Sequence, residues 1–153
     1  MYASAKSRVV DLRAALITMF QGREFAYFAT LTFTNPKIKE QAAFDALRML
    51  QRLLDSTFYG KTRIRKHGKQ VRFVGILERN YHQGLHWHVL ISPLPPVAKI
   101  PEYLFCFYVT HLWAKKIAVA GPISECEPLR NREAALTYIT KDIKSNLDSL
   151  YFD

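Results

Sequence analysis

One short segment, residues 85–91, alternates along its length in a way that suits a β-strand. Successive side chains of a strand point to opposite faces of the sheet, so His86 and His88 share one face. The other face receives an apolar set: Leu85, Trp87, Val89 and Ile91. The chain must therefore build a sheet with one face packed against other elements and two imidazoles side by side on the opposite face.

Hydrophobic spacing and turn residues divide the rest of the chain. Apolar residues at helical spacing predict helices over residues 8–20, 40–58, 102–118 and 131–147, the last with Asn131 as its N-cap. Strands are predicted at 25–34, 71–78, 85–92 and 123–126. The basic segment 61–70, with its His67-Gly68 turn, predicts a protruding loop or hairpin tip.

Without the flanking helices, these elements follow the order β-α-β-β-α-β. This is the split βαβ or ferredoxin-like pattern, in which an antiparallel sheet carries helices on one face. A chain of 153 residues with 49% hydrophobic content suits one compact domain, and no repeat or linker divides it. We therefore expect a single α+β domain over residues 1–153, with the histidines on the face that these helices leave open.

Charge points to a polyanionic partner. Lys and Arg number 22 against 13 Asp and Glu, a net charge of +9, which favours nucleic acid. A membrane is not expected, because the chain has no basic amphipathic helix, lipidation motif or secretory signal. Cys106 and Cys126 have no CxxC spacing and are read as reduced thiols, typical of a cytosol-like compartment.

A metal site is predicted beside the turn that joins the two central strands. Glu78 ends the strand before the turn, so its carboxylate can reach the face that carries His86 and His88. Two imidazoles and one carboxylate leave positions open for water or a phosphate oxygen and suit Mn²⁺ or Mg²⁺ when the substrate is a phosphodiester. Without Glu78, the histidines would be ordinary polar residues on a solvated strand.

A candidate nucleophile lies in the last predicted helix. The apolar positions Leu136, Ile139, Ile143 and Leu147 form one stripe, and Tyr138 falls roughly opposite it with Lys141 one turn further along. A phenol is mostly neutral and a weak nucleophile until a nearby cation favours the phenolate. Lys141 can supply that charge or bind the attacked phosphate. An exposed tyrosine without function is the simpler interpretation when such a neighbour is absent.

Three segments together resemble the motifs of HUH replication initiators, the Rep endonucleases of rolling-circle elements. They are FATLTFTN at 28–35, ERNYHQGLHWHVLIS at 78–92 and YITK at 138–141. The resemblance implies an RRM-like sheet, metal ligation by Glu78, His86 and His88, and attack by Tyr138 with help from Lys141. Asp142 stands where a second motif tyrosine would be, so the chain resembles single-tyrosine members.

The implied activity is metal-dependent nicking and joining of single-stranded DNA at a replication origin through a 5′-phosphotyrosine, in bacterial cytoplasm or in the nucleus of a virus's host. The implied partners are the origin strand, a hairpin there, and a helicase or a downstream helicase domain. The chain would then be either an excised domain or a small stand-alone protein. The basic segment would grip DNA through Lys61, Arg63, Arg65, Lys66 and Lys69, unless it is merely a solvated charged loop.

Other functions stay open. Relaxases and transposases of mobile elements use the same chemistry. A non-catalytic RRM-like module would keep the sheet and bind single strands by stacking bases on aromatic residues, although no RNP1 motif is present. Two histidines and a carboxylate are also the ligands of iron oxygenases, an interpretation that leaves the charge and the Tyr138-Lys141 pair unexplained.

Overall fold

The computed structural model describes residues 5–68, 71–80, 82, 84–94, 100–141, 143 and 148–153, without side-chain detail at 5–11, 63 and 64. Helices and strands alternate along most of this length. In chain order they are α1 (Ala5–Gln21), β1 (Tyr27–Phe33), α2 (Glu40–Phe58), α3 (Gly60–His67), β2 (Phe73–Asn80), β3 (Gly84–Ile91), α4 (Glu102–Lys116), β4 (Ala120–Pro128), α5 (Arg132–Ile139) and β5 (Leu150–Phe152).

The strands form one antiparallel sheet in the order β4-β1-β3-β2-β5. The β1-α2-β2-β3-α4-β4 run within it has the predicted split βαβ order, so the α+β, ferredoxin-like fold class is confirmed. The HxH strand β3 lies at the centre of the sheet, between β1 and β2. Its side chains are therefore flanked by a neighbouring strand on both sides.

Helices α2 and α4 cover one face of the sheet. The apolar side chains of β3 pack there against buried residues of both helices, among them Leu47 and Leu50 of α2 and Phe105 of α4. Trp87 is fully buried and donates its indole N–H to the carbonyl of Ala43 at 3.0 Å. We refer to this side of the sheet as the packed face.

The opposite side, which we call the histidine face, is covered at one end only. Val74, Ile76 and Leu90 form a second, smaller apolar cluster there with Leu16 and Phe20 of α1, Leu136 and Ile139 of α5, and Ile143 beyond the end of α5. The βαββαβ pattern assigns no position to the flanking helices α1 and α5. The structure places them over the apolar end of this face, beside the histidines, because these three strand residues need cover from water.

The prediction of a loop over residues 61–70 is wrong for most of the segment. Residues 60–67 form helix α3, because lysine and arginine are good helix formers and nothing inside the segment breaks the helix. Gly60 and Gly68 bound it with φ of 75° and 74°, the left-handed conformation that glycine adopts readily. Residues 69 and 70 lie outside the described part of the chain.

Three further elements differ from prediction. Strand β4 is longer than the expected 123–126, since it pairs with β1 along most of its length. Helix α5 begins at the predicted Asn131 cap, whose side chain accepts from the N–H of Ala134, but ends at Ile139 rather than 147. The short strand β5 was not predicted, and it pairs with β2 at the edge of the sheet.

Candidate metal centre

The pairing of β2 with β3 brings the three predicted ligands together. Glu78 lies directly opposite His86 in the register, and His88 is the next residue on the same face. Oε2 of Glu78 lies 3.0 Å from Nε2 of His88 and 3.6 Å from Nε2 of His86. The two imidazole Nε2 atoms are 3.2 Å apart. The predicted group is therefore assembled, and its ligand atoms lie within 4.8 Å of one another.

These separations match those of atoms that share one metal ion. With bonds of about 2.1 Å, two ligands of one ion lie roughly 3.0 Å apart at octahedral angles and roughly 3.4 Å apart at tetrahedral angles. The three distances of 3.0, 3.2 and 3.6 Å span those values. The three atoms would occupy one side of an ion and leave its other positions open. The Glu/His/His group can thus bind a metal ion.

Hydrogen bonds behind the imidazoles orient both rings. Nδ1 of His86 lies 3.3 Å from the carbonyl oxygen of Gly84, and Nδ1 of His88 lies 3.2 Å from Oγ1 of Thr30. With the ring protons on Nδ1, both histidines donate to these oxygens and turn the Nε2 lone pairs toward Glu78. Three acceptor atoms then converge, an arrangement that a cation among them would stabilise.

Gly84 holds one of these hydrogen-bond acceptors in place. Its φ of 67° is left-handed, and a Cβ at this position would lie 2.7 Å from the backbone of Pro36. Any other residue would therefore be strained and would push against the segment after β1. Glycine allows the turn to deliver its carbonyl to His86.

The ligands are largely shielded from water. His86 and His88 are 2% and 5% exposed, and the side chain of Glu78 is 16% exposed. The ring of Phe28 stacks on the ring of His88, with centroids 5.7 Å apart and planes at 14°. A charge in such surroundings interacts more strongly with its neighbours than it would in water, since the effective dielectric constant is lower.

Tyr138 and Lys141 lie beside the ligands, on the side of His88. The Tyr138 ring is edge-on to the ring of His88, with centroids 5.1 Å apart, and Tyr138 is 44% exposed. Nζ of Lys141 lies 3.9 Å from the centroid of the Tyr138 ring, a cation–π contact. The last turn is tight, with the N–H of Lys141 donating to the carbonyl of Tyr138 at 3.2 Å, so the two residues stay together beyond the end of the helix.

Two arginines hold α5 and α1 against each other, and the sequence analysis missed both. Arg13 of α1 donates to the carbonyl of Thr137 at 3.0 Å and to Oγ1 of Thr140 at 3.3 Å, at the end of α5. Arg132 at the start of α5 donates to carbonyls at the end of α1, including that of Phe20 at 2.9 Å. Each arginine places positive charge at the carbonyl end of a helix, which fixes α5 over the histidine face.

Thr30 and Phe28 were also missed as contacts of the ligands. Their alternation with Ala29 and Leu31 places them on one face of β1, and this could be read from the sequence. Which face lies beside the histidines depends on the pairing of β1 with β3, where Thr30 is opposite His88. The sequence offers no turn between these strands from which that register could be read.

The basic residues are not brought to the metal centre. Lys61, Arg65 and Lys66 lie on α3, which packs against α2, the helix that covers the packed face. The side chain of Arg63 and all of Lys69 lie outside what the structure describes. The two cysteines come together between α4 and β4, where burial raises the pKa of both thiols.

The chain matches no protein-family model, no curated protein and no solved structure. No helix in the described part of the chain combines the length and the apolar character that crossing a membrane requires. Functional inference therefore rests on the geometry of the site and on the motifs.

Proposed function

We propose that this chain is a metal-dependent endonuclease of the HUH type that cuts single-stranded DNA and becomes linked to the 5′ phosphate through Tyr138. One observation carries the proposal: an exposed tyrosine, with a lysine on its ring, lies edge-on to a histidine of a possible metal-binding group. An isolated exposed tyrosine would have no such neighbours. The net charge of +9 suits a nucleic-acid substrate.

Glu78, His86 and His88 would hold a divalent ion, Mn²⁺ or Mg²⁺. Such an ion would supply positive charge next to the scissile phosphate, and this charge would stabilise the negative charge that develops during attack. Thr30 and the Gly84 carbonyl keep the two imidazoles in the ligating orientation. Phe28 excludes water from one side of His88.

Tyr138 would make the covalent bond. Its phenol proton passes to solvent, which reaches the half-exposed ring, and the ammonium of Lys141 over that ring offsets negative charge that develops there during the attack. The phenolate oxygen attacks phosphorus, the bond from phosphorus to the 3′ oxygen breaks, and that oxygen takes up a proton. The products are a 5′-phosphotyrosine and a free 3′ hydroxyl, so one phosphodiester has replaced another and the step is close to thermoneutral.

The test uses single-stranded oligonucleotides of varied sequence, labelled at either end and incubated with the protein and Mn²⁺. A label at the 3′ end should stay with the protein on a denaturing gel, and a label at the 5′ end should leave on a shortened strand. Tyr138→Phe should fold normally and form no adduct. Tyr103→Phe removes the hydroxyl of another exposed tyrosine and should leave the adduct unchanged. An adduct with Tyr138→Phe would refute the assignment.

The step that forms the 5′-phosphotyrosine should also run in reverse. When the purified adduct meets an acceptor strand with the matching 3′ sequence, the 3′ hydroxyl should attack the phosphotyrosine and release Tyr138 without ATP. A joined strand of the expected length would support a nicking and joining enzyme, as initiation of rolling-circle replication at an origin requires. A relaxase or a transposase would also join strands. The DNA sequence that is cut distinguishes these enzymes from a replication initiator. Release of a free 5′ phosphate by water would instead indicate a hydrolase.

A second candidate is an iron oxygenase, favoured by two histidines and one carboxylate on one side of a possible ion. It predicts oxygen consumption that depends on Fe²⁺ and no covalent DNA. The adduct assay and an oxygen electrode therefore separate the two functions.

A further inference from the structure

Tyr138 separates two clefts of different character. On one side lies a cleft of about 390 Å³ whose walls are mostly apolar, with Phe28, Leu129 and Ala135 among them, and which Glu127 and Arg130 also line. On the other side lies a cleft of about 590 Å³ lined by the cations Arg13 and Lys141, with Glu133 and polar groups of α5. The ring of Tyr138 contributes to both clefts.

A single strand cut by Tyr138 must fit around this ring. The scissile phosphate has to meet the phenol, so the flanking nucleotides lie within a nucleotide's length of both clefts. Phosphates are attracted to Arg13 and Lys141. Bases are flat and largely apolar on their faces, and they bind aromatic and apolar walls. The two clefts thus match the two parts of a nucleotide.

We propose that the apolar cleft is a nucleobase slot, which takes the base of a nucleotide next to the scissile phosphate. The inference rests on the proposed function for the position of that phosphate. Phe28 is well placed to form a wall of the slot. Its ring meets the Tyr138 ring edge-on at 6.1 Å and is stacked on His88, so a base that contacts it is also fixed relative to the ligands.

Glu127 gives the slot a preference among bases. It is the register partner of Phe28, so its side chain lies on the same face of the sheet, and it lines the cleft. An ionised carboxylate only accepts hydrogen bonds. Adenine, cytosine and guanine carry an exocyclic amino group that can donate to it, whereas thymine can donate only through its ring N3–H. The slot should therefore disfavour thymine.

The experiment is an abasic scan performed with a chelator, so that binding is measured without chemistry. Each nucleotide of a bound oligonucleotide is replaced in turn by an abasic one, and affinity is measured by fluorescence anisotropy. Abasic substitution at one position should weaken binding by about fivefold or more, the loss typical of a base stacked on aromatic residues. If the wild-type protein forms the adduct, this position should lie next to the mapped cut.

A pair of variants links that position to the cleft. Ala135→Phe adds a ring inside the apolar cleft, and Met49→Phe adds the same ring at an exposed position of α2 that lines neither cleft. Ala135→Phe should bind the intact and the abasic strand equally weakly, while Met49→Phe should keep the difference. Thermal unfolding checks that both fold. If Ala135→Phe unfolds, Glu127→Gln takes its place, and the affinity ratio between an amino-bearing base and thymine at that position should fall toward one.

The outcomes separate the slot from the proposed function. An adduct with no sensitive base beside the cut would overturn the slot and leave the endonuclease intact. Without any adduct, a sensitivity to one abasic position that Ala135→Phe removes, or a preference against thymine there that Glu127→Gln removes, would support the slot and refute the endonuclease. If the wild-type protein bound thymine and the other bases equally at that position, Glu127 would set no preference among bases.

Discussion

The two faces of the sheet use the same strands for different purposes. On the packed face, β3 contributes side chains that are buried under α2 and α4, and the polar indole N–H of Trp87 has a partner. On the histidine face, the same strand contributes two buried imidazoles beside a carboxylate. One face gains stability by removing apolar surface from water, while the other buries polar groups, which costs free energy unless they are compensated.

This difference predicts how the faces respond to change. Substitutions on the packed face should alter the free energy of unfolding and leave metal binding intact. Substitutions around the histidines should alter metal binding and catalysis at little cost to the fold of the metal-free protein. A metal ion that binds only the folded protein should also stabilise it, by about 2.7 kcal/mol at a hundredfold excess over the dissociation constant.

The largest effect is expected for His88→Ala. This variant removes one ligand and the ring beside Tyr138, so adduct formation should fall by about a thousandfold or more, the loss of several kcal/mol of charge stabilisation. Chelated wild-type protein should behave in the same way and recover with Mn²⁺. Mn²⁺ should raise the melting temperature of the wild-type protein but not that of His88→Ala. A wild-type protein that forms adduct at its normal rate after chelation would contradict the metal centre.

Leu50→Ala should test the packed face. Leu50 is fully buried in α2, and truncating such a side chain costs about 2–5 kcal/mol of unfolding free energy. The neighbouring Met49 is 43% exposed, so Met49→Ala is a matched control with an expected change within about 0.5 kcal/mol. Chemical denaturation measures both. Mn²⁺ should raise the free energy of unfolding by the same amount in both variants. If Mn²⁺ did not stabilise Leu50→Ala, the two faces would not be energetically independent.

Thr30→Val should weaken metal binding without unfolding the protein. Valine has a similar shape but cannot accept the hydrogen bond from Nδ1 of His88, and loss of such a partner typically costs about 10–100-fold in metal affinity. Thr34→Val is the control, because the hydroxyl of Thr34 donates to the carbonyl of Ala120 instead. Isothermal titration with Mn²⁺ gives both affinities. Equal affinities would show that Thr30 does not orient the ligand.

Lys141→Met should have the smallest effect. It removes the charge over the Tyr138 ring but keeps much of the side-chain length, so the rate of adduct formation should fall by about tenfold, equivalent to about 1.4 kcal/mol of lost charge stabilisation. Lys115→Met, in the last turn of α4, should leave the rate unchanged. A single-turnover time course measures the rate. The cut should stay at the same nucleotide, and a shift would indicate that Lys141 positions the strand instead.

Local patterns determined much of this molecule. The alternation at residues 85–91 predicts the central strand and its histidine face, and the short turn before it brings Glu78 opposite His86. Helix α2 has the predicted bounds of 40 and 58, since its apolar residues repeat at helical spacing throughout. Tyr138 lies away from the buried Leu136 and Ile139, as the stripe predicts. Each of these properties depends on neighbours in sequence, where periodicity is informative.

Only the tertiary structure decided what surrounds the site. Thr30 reaches His88 because β1 pairs with β3 across 58 positions of sequence, and Arg13 reaches the end of α5 across 124 or more. At the C-cap of α5, the buried hydroxyl of Thr140 donates to the carbonyl of Leu136, and Arg13 reaches the same hydroxyl from α1. Such long-range contacts depend on how the whole chain buries its apolar surface and pairs its polar groups. A short stretch of sequence does not contain the distant residues that take part, so it cannot predict these contacts.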